Sequence, residues 1–386
     1  MAFIPYSRQD VSEADIAAVV QVLRSDFLTQ GPQVPAFEEA FAALHQVRHA
    51  VAVSNATAGL QLACLALGVG PGSRVWTTPN SFLASANCAL YCGATVDFVD
   101  IDPSTRNMGL TALQDKLEQA AARDALPDVV IPVDFSGLPC DLRGIRALAD
   151  RHGFKIIEDA SHATGASVEG RPVGSRFADA SVFSFHAVKI VTTGEGGMVT
   201  TQDDETARQL RLLRSHGMTR DAGEMERQPD GPWYYEQQAL GYNVRMTDVQ
   251  AALGLSQLGR IEEMHAQREA IATRYDGLLA ALPVLLPPRL PACRSAWHLY
   301  VIEIDDTRTD RARRDVFEKL RAAGIGVNVH YIPIHTQPFY QRLGFRIGDF
   351  PFSERYYARA ISLPLYPALS AADQDKVVAT LAEALG

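Results

Sequence analysis

Positive charge is in short supply in this chain. Its 386 residues carry 36 Lys and Arg against 45 Asp and Glu, a formal charge of −9. A nucleic-acid-binding domain normally presents a basic face, so no nucleic-acid partner is expected. Long apolar runs are missing as well, and none reaches the length that spans a bilayer. The opening MAFIPYSRQD lacks the basic and apolar regions of a secretory signal. A cytoplasmic location with no membrane partner is therefore expected. Cysteine is sparse and odd in number: Cys64, Cys88, Cys92, Cys140 and Cys293. No C-x-x-C pair occurs and three of the five lie in apolar stretches, which predicts buried free thiols rather than disulfides or zinc. His45 and His49 fall four apart in a stretch that reads as helix, but no third ligand accompanies them and no metal is expected. There is no internal repeat, no low-complexity segment and no Walker or dinucleotide fingerprint.

The composition that remains, 47% hydrophobic and 21% charged, is that of a globular protein. The length exceeds one compact core, which predicts a large and a smaller domain. Short apolar runs recur through the first two-thirds: Ala50–Val53, Arg74–Thr78, Thr95–Asp100, Asp128–Val133, Phe154–Asp159, Ala180–Phe185 and Gly197–Thr201. Most lack polar alternation, as strands buried on both faces do. Helical patterns lie between them at Ala58–Leu67, Leu83–Cys92, Thr111–Arg123 and Leu142–His152. This alternation predicts an α/β domain with a mostly parallel sheet. Beyond it, Asp248–Leu279 reads as one long helical stretch with weak points at Gly254 and Gly259. Then follow a Pro-rich break (Pro283–Pro291), a strand (Trp297–Asp305), a helix (Arg311–Ala323), a second strand (Ile325–Ile332) and a last helix (Ala371–Leu385). The expected domains are 1–258 (α/β) and 259–386 (α+β).

Four segments carry candidate chemistry. In SFHAVKIVTTGEGG, Lys189 follows a buried strand among the apolar neighbours Val188, Ile190 and Val191. Desolvation lowers a lysine pKa and makes its amine a usable nucleophile. Ser184 could reach a phosphate beside it. In IIEDASHATGA, Asp159 ends an apolar strand, where α/β sheets bind ligands. A carboxylate there can hold a pyridine nitrogen protonated and make the ring an electron sink. In VSNATAGLQLACLALGVG, Ser54 or Asn55 can cap a helix whose first amides, at Thr57, Ala58 and Gly59, suit a phosphate. In TTPNSFLAS, Phe82 could stack on a flat ring. Taken singly, each feature also fits an ordinary surface lysine, a turn cap, a plain helix start or a core aromatic.

Together and in this order, SNATAGL, IIEDASHATGA, SFHAVKIVTTGEGG and LGYNVRMTDVQAALG resemble the blocks of the DegT/DnrJ/EryC1/StrS sugar aminotransferases, which are fold-type I enzymes of pyridoxal 5'-phosphate. The resemblance covers nearly the whole chain. It implies that Lys189 makes the covalent link to the cofactor and moves the proton, and that Asp159 pairs with the ring nitrogen. Ser184, Thr57 and Ala58 would hold the phosphate, and Phe82 would stack on the ring. His162 stands where many relatives have glutamine and would lie near the ring hydroxyl. Asn243 would reach the phosphate of a neighbouring subunit, which implies a homodimer with two shared sites. Tyr6, Arg8, Arg220, His330 and Tyr331 are the candidates for substrate contact.

A narrower resemblance runs through IPYSRQ, LTQGP, SANCALYCGATVDFVDID, CDLRGIRALADRHGFKIIEDASHA and VNVHYIPIHTQPFY. It points to the UDP-4-amino-4,6-dideoxy-N-acetyl-β-L-altrosamine transaminases of the pseudaminic acid pathway. The substrates it implies are glutamate and a UDP-linked 4-keto-6-deoxy-N-acetyl sugar. The segment Arg220–Trp233 matches no motif. Amination at C3, or of a dTDP- or GDP-sugar, would use the same cofactor motifs. A dehydratase on this scaffold would lack the lysine, and a regulator would not keep Lys189, Asp159, Ser184 and Thr57 together.

Overall fold

The computed structural model describes residues 3–386. The apolar runs form one seven-stranded sheet. Its order is His49–Val53, Gly197–Thr201, Ala180–Ser184, Lys155–Asp159, Val129–Ile131, Arg74–Thr77 and Thr95–Phe98. Only Gly197–Thr201 runs against the rest; it pairs antiparallel with both neighbours, and the other pairings are parallel. Both faces are covered, which explains why the strands show no polar alternation. Val51 and Val53 pack into one apolar cluster, while Ala50 and Ala52 pack into another on the opposite face.

Helices return the chain between parallel strands. Ala56–Ala66, Ala84–Tyr91, Leu110–Ala121 and Leu142–His152 occupy the predicted places. The last shows why its ends fall where they do. Asp141 accepts a hydrogen bond from the Gly144 amide at the start, and Gly153, at φ +82°, closes the end in the left-handed region that favours glycine.

The expected long helix is two. Asp248–Leu258 stops at Gly259 and Ile261–Leu279 begins after Arg260. The break is fastened by the N-terminal segment: the Arg260 guanidinium bonds Asp10 at 2.7 Å and Asp15 at 3.0 Å. Beyond it the chain builds a small antiparallel sheet of Val284–Leu285, Tyr300–Ile304 and Ala360–Leu363. Helices Ile261–Leu279, Arg313–Ala322 and Ala371–Leu385 contribute to the core beside it. Ile4, from the other end of the chain, sits in that same core.

Two sequence expectations fail in this half. Ile325–Ile332 is not a strand; it makes single bridges, Ile325 with Ile4 and Asn328 with Ser362, and the central strand pairs instead with Ala360–Leu363. His45 and His49 do not share a helix, because His45 ends helix Gln33–His45 and His49 opens a strand. Their rings turn to different partners, Val173 and Asp204. All five cysteines are free, four of them buried and Cys293 half-buried.

Candidate active site

The parallel strands end on one side of the sheet, and Gly197 begins its reversed strand on that side, paired with Val53 and Ser184. A cavity of about 780 Å³ opens there. Thr57, Phe82, Asp159, His162, Ser184 and Lys189 line it from the side of the seven-stranded sheet. Tyr6, His330 and Tyr331 line it from the N-terminal arm and the C-terminal unit.

Asn55 caps helix Ala56–Ala66 by accepting from the Ala58 amide at 2.8 Å. Ala58 is therefore engaged, and so is Gly59, whose amide donates to the Asn55 carbonyl at 3.0 Å, contrary to the expectation that both offer free amides. The free donors shift one residue back: the amides of Ala56 and Thr57 meet no protein acceptor among the described residues. Gly197 is what lets this turn lie so low. A Cβ there would stand 2.8 Å from the Ala56 nitrogen and from the Asn55 carbonyl carbon.

Asp159 ends its strand buried, with Ser85 Oγ donating to Oδ2 at 2.6 Å and the Ser161 amide donating to Oδ1 at 3.1 Å. Behind it lies a second pair of acids, Asp134 and Glu158, both fully buried. Burial pushes both carboxyls up, and the charge of Asp134 raises Glu158 further.

Lys189 lies in the irregular segment after Ala180–Ser184, its amide held by the His186 carbonyl. Burial lowers its ammonium to about 8, and the charge of Asp159 opposes that fall. A lysine so placed is free amine about a tenth of the time at pH 7, far more than an unperturbed lysine.

His162 has both nitrogens engaged. Nδ1 accepts from the Ser136 amide at 3.2 Å, and Nε2 stands 3.1 Å from Tyr331 Oη. Burial, then the charges of Lys189 and His330, hold the ring neutral. A neutral imidazole that accepts at Nδ1 carries its proton on Nε2, so His162 donates to Tyr331. Burial raises the phenol of Tyr331 and keeps it protonated. Its own O–H is then free for a ligand in the cavity.

The C-terminal wall is tied to the sheet side. The Tyr331 amide donates to Asn80 Oδ1 at 3.3 Å, and the Ile334 amide donates to the Pro79 carbonyl at 3.0 Å. His330 Nδ1 meets Ser362 Oγ at 2.7 Å, and Asn328 approaches its Nε2. Phe82 is more exposed than a core aromatic, at 59%. Arg8, Arg220 and Asn243 do not line the cavity and are exposed. Ser85, His298, Asn80 and the acid pair were missed by sequence reasoning. Ser85, His298, Asn80 and Asp134 lie inside unremarkable helix or loop patterns, and only Glu158, in the strand beside Asp159, carried a signal.

A sequence profile, that of the DegT/DnrJ/EryC1/StrS aminotransferase family, matches residues 9–382. The chain belongs to the DegT/DnrJ/EryC1/StrS aminotransferase family. It is 42% identical over 379 residues to the spore coat polysaccharide biosynthesis protein SpsC of Bacillus subtilis, covering 97% of this chain and 95% of that one. Among solved structures it resembles PseC of Helicobacter pylori, an aminotransferase involved in the biosynthesis of pseudoaminic acid. The TM-score is 0.91 at 31% identity, over 99% of both chains. It also resembles the putative sugar aminotransferase Spr1654 of Streptococcus pneumoniae in its PMP form. There the TM-score is 0.90 at 30% identity, over 99% of this chain and 98% of that one. This aminotransferase thus has a fold-type I architecture, as the motif order implied.

Proposed function

We propose that this aminotransferase moves an amino group from glutamate to C4 of a UDP-linked 4-keto-6-deoxy-N-acetylhexosamine, with pyridoxal 5'-phosphate in the cavity described above. The observation that carries the reading is a lysine lowered to about 8 that shares one cavity with Asp159. The donor set fits the cofactor. The free amides of Ala56 and Thr57, with Ser184 beside them, suit its phosphate, and Asp159 suits a protonated ring nitrogen. Phe82 offers a face for the ring, and His162 lies near enough to Lys189 to feel its charge. When bound, the cofactor serves as an electron sink for the carbon that loses its proton.

The chain's own residues do the rest. Lys189 Nζ would take up and return the proton of the donor carbon, a task that suits an amine whose pKa lies near working pH. Asp159 faces the same cavity, held by Ser85 and Ser161. Tyr331 donates its phenolic proton to an oxygen of the sugar, oriented through His162 by the Ser136 amide.

The printed names of SpsC and PseC, tied to spore coat polysaccharide and pseudoaminic acid biosynthesis, support a sugar as acceptor. Among the described residues, Lys189 is the only Lys or Arg in the cavity lining. A nucleotide diphosphate therefore draws on a cation from outside this lining, for which the exposed Arg220 is the candidate, while the exposed Asn243 is the candidate for the cofactor phosphate of a neighbouring subunit. The test is to add glutamate to the holoenzyme and then a panel of UDP-, dTDP- and GDP-keto-sugars. Glutamate is expected to bleach the visible absorbance, and mass spectrometry is expected to find the new amine on the UDP-4-keto sugar. An amine at C3, or on another nucleotide's sugar, would replace the substrate assignment. No bleaching would remove the reaction.

A further inference from the structure

His298 is buried to 3% exposure and lines the cavity that holds Lys189. Its backbone amide donates to the Ser136 carbonyl, and its ring packs at 4.5 Å against His162. The ring is thereby fixed. Yet neither ring nitrogen meets a protein partner among the described residues, and Nδ1 is wholly enclosed. An enclosed N–H without an acceptor is rarer and costlier than an enclosed lone pair. The proton therefore rests on Nε2, and the ring meets the cavity with an unused N–H donor.

The chemistry of its partner follows by elimination. An amino donor with two carboxylates finds no arginine in the lining. His162 and His330 have both nitrogens engaged. His186 is exposed to solvent. Asp159 and Glu195 repel an anion. Among the described lining residues of this copy, His298 combines enclosure, a fixed ring and a free N–H, while the free O–H of Tyr331 is assigned above to the sugar. Burial and the charge of Lys189 hold it neutral beforehand, so no counter-ion has to be displaced when a carboxylate arrives.

We infer that His298 is the residue that binds a carboxylate of the amino donor, an inference that rests on the transaminase reading above. The probe is glutarate, an unreactive dicarboxylate, titrated into the holoenzyme by calorimetry. His298→Phe keeps a ring against His162 and removes the N–H; His298→Gln restores a donor. His298→Phe is expected to weaken glutarate by about tenfold or more and to leave the affinity for pyridoxal phosphate unchanged. His298→Gln is expected to recover part of the loss. Equal glutarate affinity in His298→Phe and wild type overturns the assignment, as does a matching loss of cofactor affinity. Should the variants not fold, nitrogen NMR of the wild-type His298 ring decides: its Nε2 signal must move on adding glutarate, and a still signal overturns the assignment. Failure of the transaminase reading shows separately, as a wild-type visible band that glutamate does not bleach.

Discussion

The wall that carries Asp159 and Ser184 is built at the ends of buried strands, with Lys189 on the short irregular segment that follows one of them, whereas His298, Asn328, His330 and Tyr331 sit on longer stretches with little regular structure. On the first wall, positions are set by the sheet register. Asp159 pairs with Val182, and Ser184 pairs with Gly197, which in turn pairs with Val53. On the second wall, positions are set by side chains that reach across, such as Asn80 to the Tyr331 amide and Ser362 to His330. Chemistry that tolerates little displacement belongs on the rigid scaffold, while irregular segments adapt to the shape of a substrate.

If that division holds, damage to the strand-end wall should stop both half-reactions, and damage to the other wall only one. The largest effect is expected from Lys189→Ala. Turnover should fall on the order of 10⁴-fold or more, with loss of the visible band while the protein still melts cooperatively. Retained turnover would break the comparison at its strongest point. Asp159→Asn comes next. It keeps the shape held by Ser85 and Ser161 but loses the charge, and both half-reactions should slow by roughly 10²- to 10³-fold. Because the charge of Asp159 opposes the fall in Lys189, the apparent pKa of Lys189 should drop further below about 8 in this variant.

Capture of pyridoxal phosphate by the apo-protein should depend on pH through the same lysine. Below about 8 the ammonium is protonated and unreactive, so the rate should fall about tenfold per pH unit. Stopped-flow absorbance checks this, and a flat profile from pH 6 to 8 would argue against the lowered amine. The smallest effect tests the irregular wall. Tyr331→Phe removes the O–H that His162 orients. It should raise KM for the keto-sugar by roughly three- to tenfold and leave the glutamate half-reaction alone. Equal losses in both halves would mean that the two walls are not separable.

The strand-end wall was largely legible beforehand. An apolar strand that ends in Glu158 and Asp159, or runs into Ser184 and then Lys189, marks its own position, because the carboxyl edge of such a sheet is a local property of each strand. The irregular wall was not. Ile325–Ile332 has the apolar content of a strand but bends toward the cavity: Val329 bonds the Asn328 side chain and Tyr331 bonds Asn80. Those side-chain bonds replace the ladder that a strand would need. The Ala58 amide was misjudged for a similar reason, since the capping side chain of Asn55 took the donor intended for a phosphate.

The sequence by itself determined the two-sided burial of the central strands, most of the returning helices and which lysine and which carboxylate lie at the strand ends that face the cavity. These follow from patterns a few residues long. Only the tertiary structure decided that Tyr331 takes its hydrogen bond from His162, 169 positions away, and that His298 is left with none. Partnership between distant polar atoms depends on where whole elements come to rest, and no local period in the chain encodes it.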